Sequence, residues 1–233
     1  IKRQLDNLKK KTPKRPTAVA HVMTPRSSLR KSFIHRRGNF LDKGDEVATH
    51  TPTFLPDLAA RGELADRLDL ARWVVNPSNP LTARVAVNHI WMRHMGEPLV
   101  KTVFDFGRRA ERPAQSRLLD WLAAEFMEQG WSMRHVHRLI VNSATYQQSS
   151  RVSAIQLQQD PGNLLLGRGP RVRLSAEMIR DNALEVSGLL SHKMGGPPVY
   201  PPQPDGIWRH VGRNAPKYNT SSGTDRFRRG IYV

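Results

Sequence analysis

The stretch NPLTARVAVNHIWMRHMG, residues 79–96, and after a linker LLDWLAAEFMEQGWSMRHVHRLIVNSATYQQSS, residues 118–150, decide how this chain folds. Pro80 suits the first position of a helix, because the N–H it lacks would have no intrahelical partner there. Leu81, Val85 and Met92, and one row over Val87, Ile90 and Trp91, recur at helical spacing until Gly96 stops the run. Leu118, Leu119, Leu122, Ala123 and Phe126 predict a second helix closed by Gly130. Ser132 is placed to cap a third, with Val136, Leu139, Ile140 and Ser143 on its inward rows. Trp91, Trp121 and Trp131 all fall in this block. The expected centre is a tight set of three helices.

Upstream, LRKSFIHRRGNF (residues 29–40) alternates as a strand, with Gly38-Asn39 as a turn. Lys43-Gly44-Asp45 is a second turn signal, and residues 46–50 are the expected partner strand. Asp66 is the predicted cap of a helix over residues 67–75, ended by Asn76-Pro77. Residues 1–20 read as a basic connector without sustained periodicity. Downstream, Asp160–Gly169 is turn-rich, and Ser175 opens a helix with Ala176, Ile179, Ala183, Val186 and Leu190 on one stripe. Arg180, Asp181 and Glu185 lie off that stripe, and Gly195-Gly196-Pro197-Pro198 is the expected terminator. Arg228–Val233 has strand character. The fold class these elements predict is mainly α: an irregular helical bundle with a short β-hairpin near the N-terminus and extended C-terminal segments. It is expected as one domain over residues 21–233.

Composition narrows the function classes. No run of about 18 apolar residues exists, so no membrane-spanning helix is expected. Cysteine is absent, which excludes disulfides, thiolate nucleophiles, Cys-ligated zinc and covalent haem attachment within these residues. The formal charge of +17 is unevenly placed. Residues 1–37 hold twelve Lys/Arg against one Asp, residues 38–202 nineteen against seventeen, and residues 203–233 six against two. The helical body is near neutral and the excess sits at the ends, which fits a basic arm better than a basic groove built into the fold.

Several motifs, in order, resemble a known family. NPLTARVAVNHIWMRHMGEPLVKTVFDFG, the 118–150 segment, RLSAEMIRDNAL and GGPPVYPPQPDGIW are similar to the domain of unknown function DUF1553. FIHRRGNFLDKGDEV resembles the segment that introduces the family's helical block, and GTDRFRRGIYV its late motif. The resemblance runs from about His21 to Val233. The family pattern continues past RRGIY, so it implies that the chain stops inside the domain. It also implies a place near the C-terminus of large planctomycete-type proteins that carry cytochrome c-like domains. An exported, periplasmic or cell-surface setting follows from it, with neighbouring domains of the same polypeptide as partners and any haem on one of those domains. No cofactor is expected in this chain.

Candidate chemistry is sparse. His89 and His94 diverge around a helix, as do His135 and His137, so no helical metal pair arises and no metal ligand set is assigned. A catalytic site assembled from separate segments would use His94, Asp105 and His137. Asp105-Phe106-Gly107 matches the kinase triplet in letters only, and a turn held by Asp105 suits it better. Ser143 with His137 lacks an orienting carboxylate and a nucleophile elbow. Arg84, Asn88 and Arg138 match the family motif and are the candidate ligand-binding cluster; the bland account has Asn88 and Arg138 satisfying buried carbonyls. Arg226 and Arg228 would share one strand face and grip a carboxylate or sulfate, or else pair with Asp181 and Glu185.

The function expected is a non-catalytic interaction or scaffold module that contacts an anionic ligand or a partner domain. One alternative is an enzyme acting on acidic or sulfated polysaccharide through His94, Asp105 and His137; another is nucleic-acid binding through the arm at residues 1–37.

Overall fold

Ser32–His35 (β1) and Lys43–Val47 (β2) pair antiparallel, with Ser32 opposite Val47, Phe33 opposite Glu46 and His35 opposite Lys43. The hairpin is where the alternation put it and its turn includes the expected Gly38-Asn39, but the second turn expected at Lys43-Gly44-Asp45 does not form. Chain reversal occupies residues 36–42: Arg37 and Gly38 take φ of 50° and 77°, and Arg36 N–H donates to the Asp42 carbonyl at 3.0 Å. Two consecutive left-handed residues close the loop early, so Lys43-Gly44-Asp45 enters the partner strand and the expected strand over 46–50 is shifted toward the turn. The Lys43 ammonium lies 5.2 Å from the Phe33 ring centroid.

The computed structural model describes residues 2–3, 21–24, 30–107, 109–207 and 218–233. Most of the connector over 1–20, and of the arm over 1–37, lies outside the described residues. Two compact units are formed, residues 1–84 and 85–233.

In the first unit, α1 (Arg67–Val74) begins as expected at Asp66. The Asp66 carboxylate accepts from Leu68 N–H at 2.8 Å and Asp69 N–H at 3.0 Å, while Asp69 accepts from Asp66 N–H at 2.9 Å. This reciprocal box satisfies three amides that the first turn leaves without partners. Arg61 bonds both carboxylates, and Trp73 Nε1 donates to the Pro56 carbonyl at 2.6 Å. The Asn79 side chain accepts from Leu81 N–H and Thr82 N–H, so Asn79 caps the start of the next helix and Pro80 directly follows the cap.

The helices of the second unit are α2 (Thr82–Met95, whose first three residues fall in the first unit), α3 (Ser116–Glu128), α4 (Met133–Asn142), α5 (Ala144–Gln147), α6 (Ala154–Gln159) and α7 (Ala176–Val186). The core is built from Val87, Ile90, Trp91 and Met95 of α2, Leu119, Leu122, Ala123 and Phe126 of α3, and Val136 and Ile140 of α4. Each fully buried side chain of this size contributes about 1.5–3 kcal/mol. Of the two apolar rows on α2, only the one through Val87, Ile90 and Trp91 is sealed; Leu81, Val85 and Met92 are half-buried. Trp121 is exposed.

The α3–α4 turn is closed by backbone geometry. Gly130 N–H donates to the Met127 carbonyl at 3.1 Å and Trp131 N–H to the Phe126 carbonyl at 2.8 Å, with φ of 64° at Gly130. The Trp131 ring then packs edge-on against Phe126, with centroids 5.1 Å apart. Paired 5→2 and 6→1 bonds with an apolar contact make this a Schellman cap. Ser132 accepts from His135 N–H and starts α4. The same pair of bonds at Gly188 and Leu189 ends α7 after Val186, well before the Gly-Gly-Pro-Pro run expected to do so.

The strand expected over Arg228–Val233 is replaced by a 3-10 turn, Gly230–Tyr232, which follows another at Gly223–Phe227. Local bonds from Arg228 N–H to Asp225 and from Tyr232 N–H to Arg229 outcompete a ladder, of which only one parallel bridge, Ser191 to Arg228, survives. The result is mainly α with one small hairpin. No helix among the described residues is long and apolar enough to cross a membrane.

Candidate functional site

Helices α2 and α4 bring two of the dispersed catalytic candidates together. His94 Nε2 lies 2.7 Å from His137 Nδ1, and Tyr146 from α5 packs edge-on against His94 at 5.9 Å. One nitrogen donates and the other accepts, so at least one imidazole of the pair is neutral. Burial, and secondarily the charge of His137, holds His94 below its ordinary pKa. Asp105 does not join them. Its Oδ1 accepts from Gly107 N–H at 2.9 Å and its Oδ2 lies 3.5 Å from Arg109, so it serves its own turn. Ser143 caps α5 and donates to the Ile140 carbonyl. Among the described residues no group of three or more His, Asp or Glu is placed to hold a metal ion.

The candidate ligand-binding residues each have their own surroundings. Asn88 is fully buried and clamps Val100, donating to its carbonyl at 3.1 Å and accepting from its N–H at 2.9 Å. Arg84 donates to the Pro80 carbonyl one turn back at 2.6 Å. Arg138 is exposed on α4 and bonds no buried carbonyl among the described residues, which corrects the bland account for that residue. Asn88 thus faces the core while Arg138 faces solvent.

Arg228 is fully buried; its guanidinium donates to the carbonyls of Lys193, Gly195 and Pro197 and lies 3.7 Å over the Tyr232 ring. Its Nε is buried without a partner among the described residues. The Arg226 guanidinium stacks on Phe227 at 4.9 Å. The shared strand face expected of Arg226 and Arg228 does not form, because the segment is not a strand. Their expected pairing with Asp181 and Glu185 is also reorganised. Arg180 of α7 donates to the main-chain carbonyls of Arg228 (2.7 Å) and Arg226 (2.8 Å), and Asp181 accepts from Gly230 N–H at 2.7 Å. Thus Arg180 and Asp181 of α7 hold the C-terminal segment, while Glu185 faces His192 and Ile179 and Val186 of the apolar stripe stay exposed.

The turn-rich loop expected over Asp160–Gly169 forms, and beside it lies a groove that sequence reasoning missed. Residues 160–169 form a loop bonded largely to itself: the Asp160 carboxylate accepts from Leu164 N–H and Leu165 N–H, and Arg168 donates to the carbonyls of Asp160 and Pro161. The Leu165 bond is the main reason that Asp160 is held below its ordinary pKa. Gln148 ties the loop down through the Leu166 carbonyl at 2.9 Å. Gly169 lies so close to the Gln148 carbonyl that any Cβ would collide with it. Beside this loop runs a groove of about 930 Å³, lined on its other side by Gly96, Pro98 and Lys101 and along its edge by Arg171 and Arg173. The only signal in the sequence was the alternation Arg171-Val172-Arg173 after Gly169-Pro170.

The class these observations define is a mainly helical module in which Asn88, Arg180, Asp181 and Arg228 are turned onto its own main chain. The family described as a protein of unknown function, DUF1553 (PSD1), matches residues 66–233, and the chain belongs to it. The match begins at the Asp66 cap. Comparison with curated proteins and with solved structures finds no match.

Proposed function

We propose that this chain is a non-catalytic interaction or scaffold module of a large exported, cytochrome c-linked protein, contacting an anionic ligand or a partner domain. The observation that carries this proposal is the destination of the polar motif residues. Asn88, Arg180, Asp181 and Arg228 all bond main-chain amides or carbonyls. A catalytic constellation needs its acids, bases and donors presented to a substrate; these are instead assigned to holding loops. Exposed Ile179 and Val186 on α7 add apolar surface suited to a partner domain. The periplasmic or cell-surface setting and a haem on a neighbouring domain rest on the motif resemblance.

The contact between His94 and His137 favours one alternative, hydrolysis of an acidic or sulfated polysaccharide with the imidazole pair as acid and base. Incubating the chain with polygalacturonate and with dextran sulfate separates the two. The scaffold proposal expects no new reducing ends and no free sulfate. Release of either, abolished in His94→Gln, would overturn it in favour of the enzyme. The third possibility, nucleic acid on the arm at residues 1–37, predicts oligonucleotide binding that is lost when those residues are removed.

A further inference from the structure

The groove beside the 160–169 loop has a constitution that none of the candidate residues above anticipated. Three exposed cations line it, Lys101, Arg171 and Arg173, against one acid, Glu97. Arg168 adds a fourth positive charge at the wall while its donors are held by main-chain carbonyls. None of Lys101, Arg171 or Arg173 has an ion-pair partner among the described residues, so all three face solvent with their donors available. The chain is near neutral over residues 38–202, which makes this local excess a feature of the fold and not of overall composition.

Rigid supports hold the cations. Lys101 follows Val100, which Asn88 clamps through two hydrogen bonds from inside the core. Val172, between the two arginines, is seated on Gly96, where a Cβ would collide with Val172 Cγ2. The opposite wall is the self-bonded loop, anchored by Gln148 and also by Gln115, which donates to the Leu164 carbonyl at 3.1 Å. A preformed groove loses less conformational entropy on binding than a floppy one.

The lining also selects among polyanions. It contains Pro98, Leu157, Pro161 and Val172 but no aromatic ring, so nucleobases find nothing to stack on. Among the described residues no strand borders it, so a peptide has no sheet edge to extend. Guanidinium groups favour planar carboxylates and sulfates, and the aliphatic and prolyl surface suits a saturated, C–H-rich backbone. We infer that this groove binds an acidic oligosaccharide, its carboxylates or sulfates held by Lys101, Arg171 and Arg173. The inference rests on the interaction reading above and gives it a site and a ligand class.

The test uses the full chain, with dextran sulfate and oligogalacturonate as probes and neutral dextran, poly-glutamate and oligo-dT as competitors, at low and near-physiological salt. The triple variant Lys101→Ala/Arg171→Ala/Arg173→Ala changes exposed side chains only, and circular dichroism checks that it folds. A control, Lys9→Ala/Lys10→Ala/Lys11→Ala, removes the same charge elsewhere. The groove variant is expected to weaken binding of an acidic sugar by about tenfold or more and to flatten its salt dependence, with the control within about threefold. Equal losses in both variants, or loss only in the control, overturn the groove while leaving an interaction module intact. Poly-glutamate or oligo-dT bound at the groove as tightly as the acidic sugars overturns the ligand class. Binding of none of the polyanions by the unmodified chain overturns the groove and the anionic-ligand part of the interaction reading together.

Discussion

Asn88 and Val100 exchange two hydrogen bonds across twelve residues of chain, side-chain Nδ2 to carbonyl at 3.1 Å and main-chain N–H to Oδ1 at 2.9 Å. Asn88 is wholly buried and Val100 nearly so. The amide thus acts as a substitute strand partner for a loop that has none, and it fixes the start of the segment carrying Lys101. Replacing Asn88 by Ala leaves the Val100 N–H and carbonyl buried without partners, and by Asp leaves the carbonyl without a donor. Each variant should lose about 2–4 kcal/mol in urea unfolding. A loss within experimental error would show that the clamp is dispensable.

Gly96 has two separable reasons to be glycine. Its φ is +82°, and a Cβ would collide with Val172 Cγ2. Gly130 has φ of +64° and no atom within 4 Å of the point a Cβ would occupy, so it reports the conformational cost alone. Gly130→Ala should cost about 1–2 kcal/mol, and Gly96→Ala clearly more. Adding Val172→Ala to Gly96→Ala should recover part of the difference. Equal costs for the two glycine variants in thermal unfolding would remove the close-packing account.

The imidazole pair makes the α2–α4 contact sensitive to acid. His94 is held below its ordinary value near 6.5 by burial and by His137. Above pH 6.5 its neutral form is shared by folded and unfolded chains. As pH falls from there toward the folded value, the unfolded state binds more protons than the folded one, so stability declines with falling pH. Denaturant midpoints across pH 7.5 to about 5 should therefore fall, and His94→Gln should flatten that limb. An unchanged profile in His94→Gln would assign the decline to other groups.

Arg180 bridges two carbonyls, those of Arg226 and Arg228, and fixes the C-terminal segment to α7. Lysine keeps the charge but not the planar fork, so Arg180→Lys should lose about 1–2 kcal/mol. Limited proteolysis is the sharper measurement, since residues 218–233 should be cleaved before the helical core. Gly230→Ala should do the same, because a Cβ there would come within 2.6 Å of Glu177 Cβ. Protection of this segment equal to that of the unmodified chain in both variants would show that other contacts hold it.

Acid should also loosen the hairpin-bearing unit around Arg61. Asp69 is held below its ordinary pKa first by Asp66 N–H and then by Arg61, and Asp66 by Asp69 N–H and Arg61. Depressed carboxylates stabilise above their unfolded values and lose that contribution as pH falls through the folded ones. Asp69→Asn should therefore lower stability at neutral pH and leave a smaller acid-dependent loss below about pH 4. No difference from the unmodified chain in its acid limb would refute this.

The sequence by itself determined where the longer helices start and where α2 and α3 stop. Asp66, Asn79, Ser132 and Ser175 cap through bonds to amides two or three residues away, and Gly96 and Gly130 stop helices through their own φ. These interactions are local, so nothing beyond a few neighbouring residues is needed to read them. Tertiary structure alone decided which polar groups meet. His94 finds His137 across 43 residues, Arg180 finds the Arg228 carbonyl across 48, and Lys101 lines one groove with Arg173. Buried main-chain groups left over from loops must be bonded by whatever side chain the packing brings near. That requirement turned Asn88, Arg180 and Arg228 inward and replaced the C-terminal strand with turns, and periodicity carries no record of such distant demands.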